Sequence, residues 1–357
     1  MKIFTVVGAR PQFVKAAVLS REIANRDGIE EVLVHTGQHF DEKMSNVFFQ
    51  EMQIPKPKYN LQINSLGHGA MTGRMLEGIE GLLIKEKPDM LLVYGDTNST
   101  LAGALAAKKL HIKVGHVEAG LRSFNMRMPE EVNRILTDRI SDVLYCPTQT
   151  AIDNLKNEGY DNINCQIENS GDVMQDAAYY YAQFSENKTK IAQSYKDKKF
   201  VLATLHRAEN TDDLSRLKNI IDALNEISNE IEVVLPLHPR TQKIISKNNL
   251  KVNFTTIDPV GYFDMIEFLK HCQFVMTDSG GLQKEAFFFK KYCITLRDQT
   301  EWVELINHGF NSLTGADKSK ILNAFQNITT HSKSFDIDLY GGGKAGQRIV
   351  NSLKNFA

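Results

Sequence analysis

Short runs of apolar, mostly β-branched residues that do not alternate with polar ones recur along the chain: Ile3 to Val7, Glu31 to Thr36, Met90 to Tyr94, Val114 to Val117 and Val143 to Cys146. Helical patterns fill the intervals. An exposed sheet face would force alternation, so these runs predict strands of a parallel sheet covered by helices on both faces. The rhythm restarts with Phe200 to Thr204, Val233 to Leu237, Phe274 to Thr277 and Cys293 to Leu296, the first two separated by the amphipathic stretch Leu214 to Ile227. Between the two series a polar, poorly periodic segment, 154–172, precedes the helix-like 173–184. The pattern predicts an α/β protein of two Rossmann-type doubly wound domains, 1–170 and 171–340, divided near Gly171. Their strand ends would face a central cleft, where ligands bind in such folds.

Composition narrows this picture. The length of 357 residues fits two domains, and 42% hydrophobic with 24% charged residues is ordinary for a globular chain. Lys and Arg number 42 against 43 Asp and Glu, a formal charge of -1, so no surplus favours a nucleic-acid partner. Cys146, Cys165, Cys272 and Cys293 lie far apart, without CxxC or zinc-finger spacing. A reduced, cytoplasmic protein without a disulfide framework or structural zinc is expected. Lys2 and the apolar run after it imitate a signal peptide, but Arg10 and Lys15 follow too soon. No apolar run approaches the roughly 18 residues of a membrane helix, so no membrane insertion is expected.

Two turns carry phosphate chemistry. In GARPQFVK (8–15), Gly8 permits a tight turn after the first strand and Pro11 suits a first helical turn. Arg10, Lys15 and the helix N-terminus would then offer an anion site, against the plainer reading of a strand-to-helix turn with solvated bases. In TDSGG (277–281), Ser279, Gly280 and Gly281 offer a hydroxyl and unobstructed amides at a helix start, with Glu285 one turn on for ribose hydroxyls. A trypsin-like reading of DSGG fails, because those enzymes are disulfide-bonded β-barrels. Gly341, Gly343 and Gly346 satisfy GxGxxG, yet only 11 residues follow, too few for a dinucleotide-binding unit.

Carboxylates gather where first-domain strands should end: Asp96 in YGDTNST, Glu118 in HVEAGLRS, and Glu130 with Glu131 in MPEEVNR. Partial burial at the mouth of a parallel sheet suits such groups to acid/base work. Pro129 should start a helix on which Glu130, Arg134 and Asp138 share a face; by itself that helix reads as a surface ion-pair ladder. His206 with Arg207, and His238 with Arg240, follow two second-domain strands. Paired His loops at equivalent strand ends favour anion or proton handling, and no HxH or HExxH spacing supports a metal.

In order, GARPQFVK, TGQH (36–39), YGDTNST, HVEAGLRS, PEEVNR, LHRAEN, LHPRT, TDSGGLQKEA, LRDQTEW and YGGGKA resemble the non-hydrolysing UDP-N-acetylglucosamine 2-epimerase family over essentially the whole chain. The resemblance implies a GT-B-like fold, a C-terminal helix (341–357) returning to the first domain, a homodimer, and a UDP-sugar substrate handled without added cofactor. ARPQF and TEWVE (300–304) look more like the subgroup acting on UDP-2,3-diacetamido-2,3-dideoxyglucuronate for surface polysaccharides than like enzymes with GTRPE and TERPE. Two departures stand out. Gly342 occupies a place where the family often has Asp, and NSLGHGA (64–70) lacks the Arg-Gln-Thr string associated with activation by UDP-GlcNAc.

The C2 hydrogen of a 2-acetamido sugar has no adjacent carbonyl, so direct deprotonation is prohibitive. Departure of UDP from C1 acidifies it; elimination gives a glycal, and UDP returns after protonation of the opposite face. This route needs two proton-handling systems and a firm hold on UDP. Resemblance and position together nominate Asp96, Glu118, Glu130 and His206 as catalytic. Arg10, Lys15, Arg207, Ser279, Gly280, Gly281 and Glu285 are nominated for UDP, and Arg134 and His238 for further substrate contact. The alternatives are a UDP-GlcNAc 2-epimerase making UDP-ManNAc, a GT-B glycosyltransferase and a nucleotide-sugar sensor. A sensor has little use for three carboxylates facing an anion.

Overall fold

The computed structural model describes residues 1–38, 55–189, 191–328 and 333–356, with Arg10 described by its backbone alone. Among them, two compact units form: Met1–Ala177 with Asp338–Ala357, and Ala178–Ile337. The division falls between Ala177 and Ala178, inside the helix Val173–Ala182, where the sequence pattern had set it near Gly171.

The first unit is a seven-stranded parallel sheet built from β1 (Lys2–Val7), β2 (Glu30–His35), β3 (Tyr59–Asn60), β4 (Met90–Tyr94), β5 (Lys113–Val117), β6 (Val143–Cys146) and β7 (Gln166–Asn169). Its order is β3-β2-β1-β4-β5-β6-β7. Ile3, Phe4, Val6 and Val7 of β1 are buried on both faces of the sheet, which is why their run does not alternate. The second unit contains β8 (Phe200–Thr204), β9 (Glu232–Pro236), β10 (Thr255–Ile257), β11 (Val275–Thr277), β12 (Cys293–Thr295) and β13 (Asn311–Leu313), ordered β10-β9-β8-β11-β12-β13. All pairs in both sheets are parallel. The helix Leu214–Ile227 buries Leu217, Ile220, Ile221, Leu224 and Ile227 at helical spacing and starts where Asp213 accepts the amides of Ser215 and Arg216.

Strand order reverses at β1/β4 in the first sheet and at β8/β11 in the second. At such switch points successive connections leave to opposite sides and open a crevice beyond the strand ends. The residues at those places are Gly8 and Gly95–Asp96 in one unit, and His206 and Asp278–Gly280 in the other.

β3, β7, β10 and β13 were not legible as apolar runs. They are sheet edges of two to four residues with half-exposed side chains, so no continuous apolar signal marks them. The segment 154–172 holds the end of the helix Gln149–Asn157, a short 3-10 turn and β7.

Gly341, Gly342 and Gly343 take φ of +92°, +65° and +73°, a left-handed run that glycine alone accepts readily. It turns the chain into the helix Ala345–Leu353, whose first amides donate to Asp176. That helix packs on the helix Arg10–Ala24, close enough that a Cβ at Gly346 would lie 2.6 Å from Val18. Among the described residues no helix is long and apolar enough to cross a membrane.

Candidate active site

Two carboxylates stand on neighbouring strand ends of the first unit. Asp96 follows β4 and pairs with Arg134 on the helix Pro129–Ile140. Glu118 follows β5 and pairs with Lys15 on the helix that follows β1. Both members of the second pair are nearly buried. Gly95 separates the two sites, and its φ of +62° is left-handed. A Cβ there would also stand 3.2 Å from Glu118 Oε2 and 3.4 Å from Lys15 Nζ. Glu118 itself adopts a φ of +71°, a strained conformation that over-determined functional sites tolerate.

Lys15 was nominated for a diphosphate; its partner here is Glu118. The amides at this helix start are also engaged. Gly8 N and Ala9 N donate to Gln12 Oε1 at 2.8 and 3.0 Å, while Gln12 Nε2 donates to Tyr94 O at 2.7 Å and Thr100 Oγ1 at 2.9 Å. Gly8 is required by close approach, since a Cβ would fall 2.0 Å from Ser99 Oγ and 2.4 Å from Thr36 Oγ1. The side chain of Arg10, and His39 of the TGQH string, lie outside the description.

The surface-ladder reading of 130, 134 and 138 does not hold. Arg134 and Asp138 are buried and bonded to other elements, whereas Glu130 is exposed in the first helical turn. Arg134 also donates to Glu131 Oε2 at 2.9 Å, and Glu131, almost wholly buried, accepts the amides of Ser123 and Phe124 at 3.0 and 2.8 Å. Asp138 bonds His116 Nδ1 and Arg122 Nη1, each at 2.7 Å, and Arg122 reaches Glu158 through two bonds. Burial pushes the Asp138 carboxyl up, but His116 and Arg122 outweigh it and hold it below the usual range. His116 Nε2 lies 2.7 Å from Gly95 O, so one buried imidazole ties the Asp96 turn to the helix that carries Arg134. Sequence reasoning missed this group. A histidine inside a strand buried on both faces was the available signal, because such a ring demands partners.

In the second unit Asp278, fully buried, accepts the amides of His206 (3.0 Å) and Arg207 (2.9 Å) and lies 3.3 Å from His206 Nδ1. The His206 side chain is 44% exposed. Burial, with the charges of Arg207 and His238, lowers its pKa below the ordinary value despite Asp278. Ser279 caps the helix Gly280–Phe288, its Oγ accepting Leu282 N. Gly280 is hemmed in. A Cβ there would meet Glu301 Oε1 at 2.7 Å, Arg207 Nη2 at 3.6 Å and Arg297 Nη1 at 3.7 Å. Gly281 is exposed with open space before it. Glu285 is buried beside Tyr262, whose hydroxyl is pushed well up by burial and then by Glu285. His238 caps its own helix, Nδ1 accepting Arg240 N. Asp278, and Arg297 paired with Glu301 and Glu209, are residues here that sequence reasoning did not single out.

A profile of the UDP-N-acetylglucosamine 2-epimerase family matches residues 21–354. The chain belongs to this family. A UDP-2,3-diacetamido-2,3-dideoxy-D-glucuronate 2-epimerase of Pseudomonas aeruginosa is 56% identical over 99% of both chains. A UDP-N-acetylglucosamine 2-epimerase of Methanococcus maripaludis is 42% identical over 98% of this chain and 97% of its own. Among solved structures, the Methanocaldococcus jannaschii UDP-GlcNAc 2-epimerase in complex with UDP-GlcNAc and UDP superposes with a TM-score of 0.87 at 42% identity, covering 99% of this chain and 100% of that one. Members of the family are isomerases with a GT-B-like fold, and the two parallel α/β units fit that fold.

Proposed function

We propose that this protein inverts C2 of UDP-2,3-diacetamido-2,3-dideoxyglucuronate, giving the manno epimer, by elimination and re-addition of UDP. The observation that carries the chemistry is the pair of strand-end carboxylates, Asp96 and Glu118, each held against a cation. Elimination requires one group to take the C2 proton and another to return a proton to the opposite face, and two carboxylates fixed on adjacent strands of a rigid sheet suit that division. Arg134 and Lys15 orient them. His206, held below its usual pKa and steered by Asp278, is a third proton-handling group. Ser279, Gly280 and Gly281, with Arg207 beside them, would receive the diphosphate as its charge grows, Glu285 the ribose, and Arg10 and His238 further parts of the ligand. Glu130, exposed in the first turn of its helix, would act from the surface.

The substrate reading rests on the 56% identity to the Pseudomonas aeruginosa uronate epimerase and on the ARPQF and TEWVE strings. A cytoplasmic homodimer goes with it, as the family resemblance implies. The test is to incubate purified protein with either UDP-sugar, without acceptor, in deuterated water. Epimerised uronate carrying deuterium at C2 is expected. A pocket with donors for the C6 carboxylate leaves them unpaired on UDP-GlcNAc, so kcat/KM for UDP-GlcNAc should be lower by roughly 10-fold to over 100-fold. Equal values, or a preference for UDP-GlcNAc, return the protein to the UDP-GlcNAc branch; product formed only with an acceptor present makes it a glycosyltransferase.

A further inference from the structure

Trp302 is the one tryptophan of the chain, and it is buried. Its indole Nε1–H donates to Gly280 O at 2.9 Å, and Lys284 Nζ lies 3.9 Å from its ring centroid on the π face. Gly280 O belongs to the same peptide unit as Gly281 N–H, and in a trans peptide the two point in opposite directions. A donor on that oxygen therefore fixes which way the Gly281 amide faces. It also polarises the amide, because hydrogen bonds in series through a peptide strengthen one another. Two consecutive glycines give this helix start its greatest backbone freedom, so a donor on Gly280 O adds to the hold that the helix itself provides. Other amides nearby are used: Ser279 N donates to Thr277 Oγ1 at 2.9 Å and Leu282 N to Ser279 Oγ. Gly280 N and Gly281 N are the amides of this helix start not used in this way, and of the two residues Gly280 is buried and Gly281 exposed, so Gly281 N is the one open to a ligand.

We propose that Trp302 is a positioning residue for the diphosphate, acting through the Gly280–Gly281 peptide, with Lys284 holding its ring. The proposal rests on the reading of residues 277–281 as the diphosphate-binding turn. Lys284 over the π face makes the indole N–H a stronger donor, so the chain of influence runs from ammonium to indole to carbonyl to amide to phosphate.

The test uses full-length protein and two ligands, UDP and uridine, with affinities from calorimetry and from displacement of UDP. Trp302→Phe keeps an aromatic side chain and removes the N–H; UDP should bind on the order of 5- to 10-fold more weakly while uridine is unchanged. Trp302→His, which restores a ring N–H, should recover part of the loss. In the native protein the single tryptophan should change its emission on adding UDP and not on adding uridine. Undiminished UDP affinity in Trp302→Phe, or equal losses for UDP and uridine, overturns the proposal. Should Trp302→Phe fail to fold, an emission that saturating UDP leaves unchanged overturns it equally. Native protein that binds no UDP at all refutes the UDP-sugar reading itself, a result distinct from the others.

Discussion

Glu118 keeps a left-handed backbone that costs a non-glycine residue on the order of 1 kcal/mol. It is held there because Glu118 N and Ala119 N both donate to Tyr145 O at 3.1 Å, which turns the side chain toward Lys15. Glu118→Gln and Asp96→Asn should therefore lower kcat by roughly 100-fold or more while UDP still binds, as steady-state kinetics beside calorimetry would show. Near-normal turnover in both would make these carboxylates structural. His35 makes a different contribution. Stacked on Phe13 at 4.8 Å, its ring is held neutral by burial, with a pKa of about 4. The unfolded imidazole takes a proton near pH 6.5 and the folded one does not, so this stability is complete above that pH and is lost toward pH 4, by about 3 kcal/mol. Melting temperatures between pH 7.5 and 4.5 should fall less steeply in His35→Phe than in the native protein.

At the scale of elements, the ends of β4 and β5 and the helix Pro129–Ile140 are joined through buried His116, Asp138 and Arg122. Asp138→Asn removes the charge that the buried Arg122 guanidinium faces and one acceptor of the His116 ring, and breaking such a buried pair typically costs about 3 to 5 kcal/mol. Thermal unfolding should show the loss directly; a melting temperature within a degree of native would mean that water reaches the cluster. None of this pairing was legible in the sequence. The core strands were, because β1, β4, β5 and β6 are unbroken apolar runs, and so were the positions of Asp96 and Glu118, because a carboxylate directly after such a run must sit at a sheet mouth. The partners were not. Asp138 lies 22 residues from His116, and Lys15 lies 103 residues from Glu118, separations that no local pattern encodes. The 130–134–138 spacing pointed to helix neighbours, yet the buried face of that helix turns its charges toward strand ends and loops.

At the scale of the molecule, the first unit is assembled from two distant pieces of chain. Asp172 N donates to Tyr340 O at 2.8 Å, and Ile349, Val350 and Leu353 are buried in the first unit's terminal helix. Burying three such side chains contributes roughly 5 to 8 kcal/mol, as much as many domains possess in total. Removing 340–357 should therefore abolish hydrogen-exchange protection across 1–177 while 178–337 stays protected; uniform loss in both units would show that they unfold as one. The same arrangement bears on synthesis. Asp176 leaves the ribosome 170 residues ahead of Gly346, whose amide it accepts. At ordinary elongation rates that is a wait of roughly 10 to 30 s. Throughout it the helix Arg10–Ala24 lacks its cover, whereas 178–337 is contiguous and can close as it emerges. The unit begun before 178–337 is thus completed after it, and the nascent chain carries the unit bearing Asp96 and Glu118 open until residues 345–353 appear.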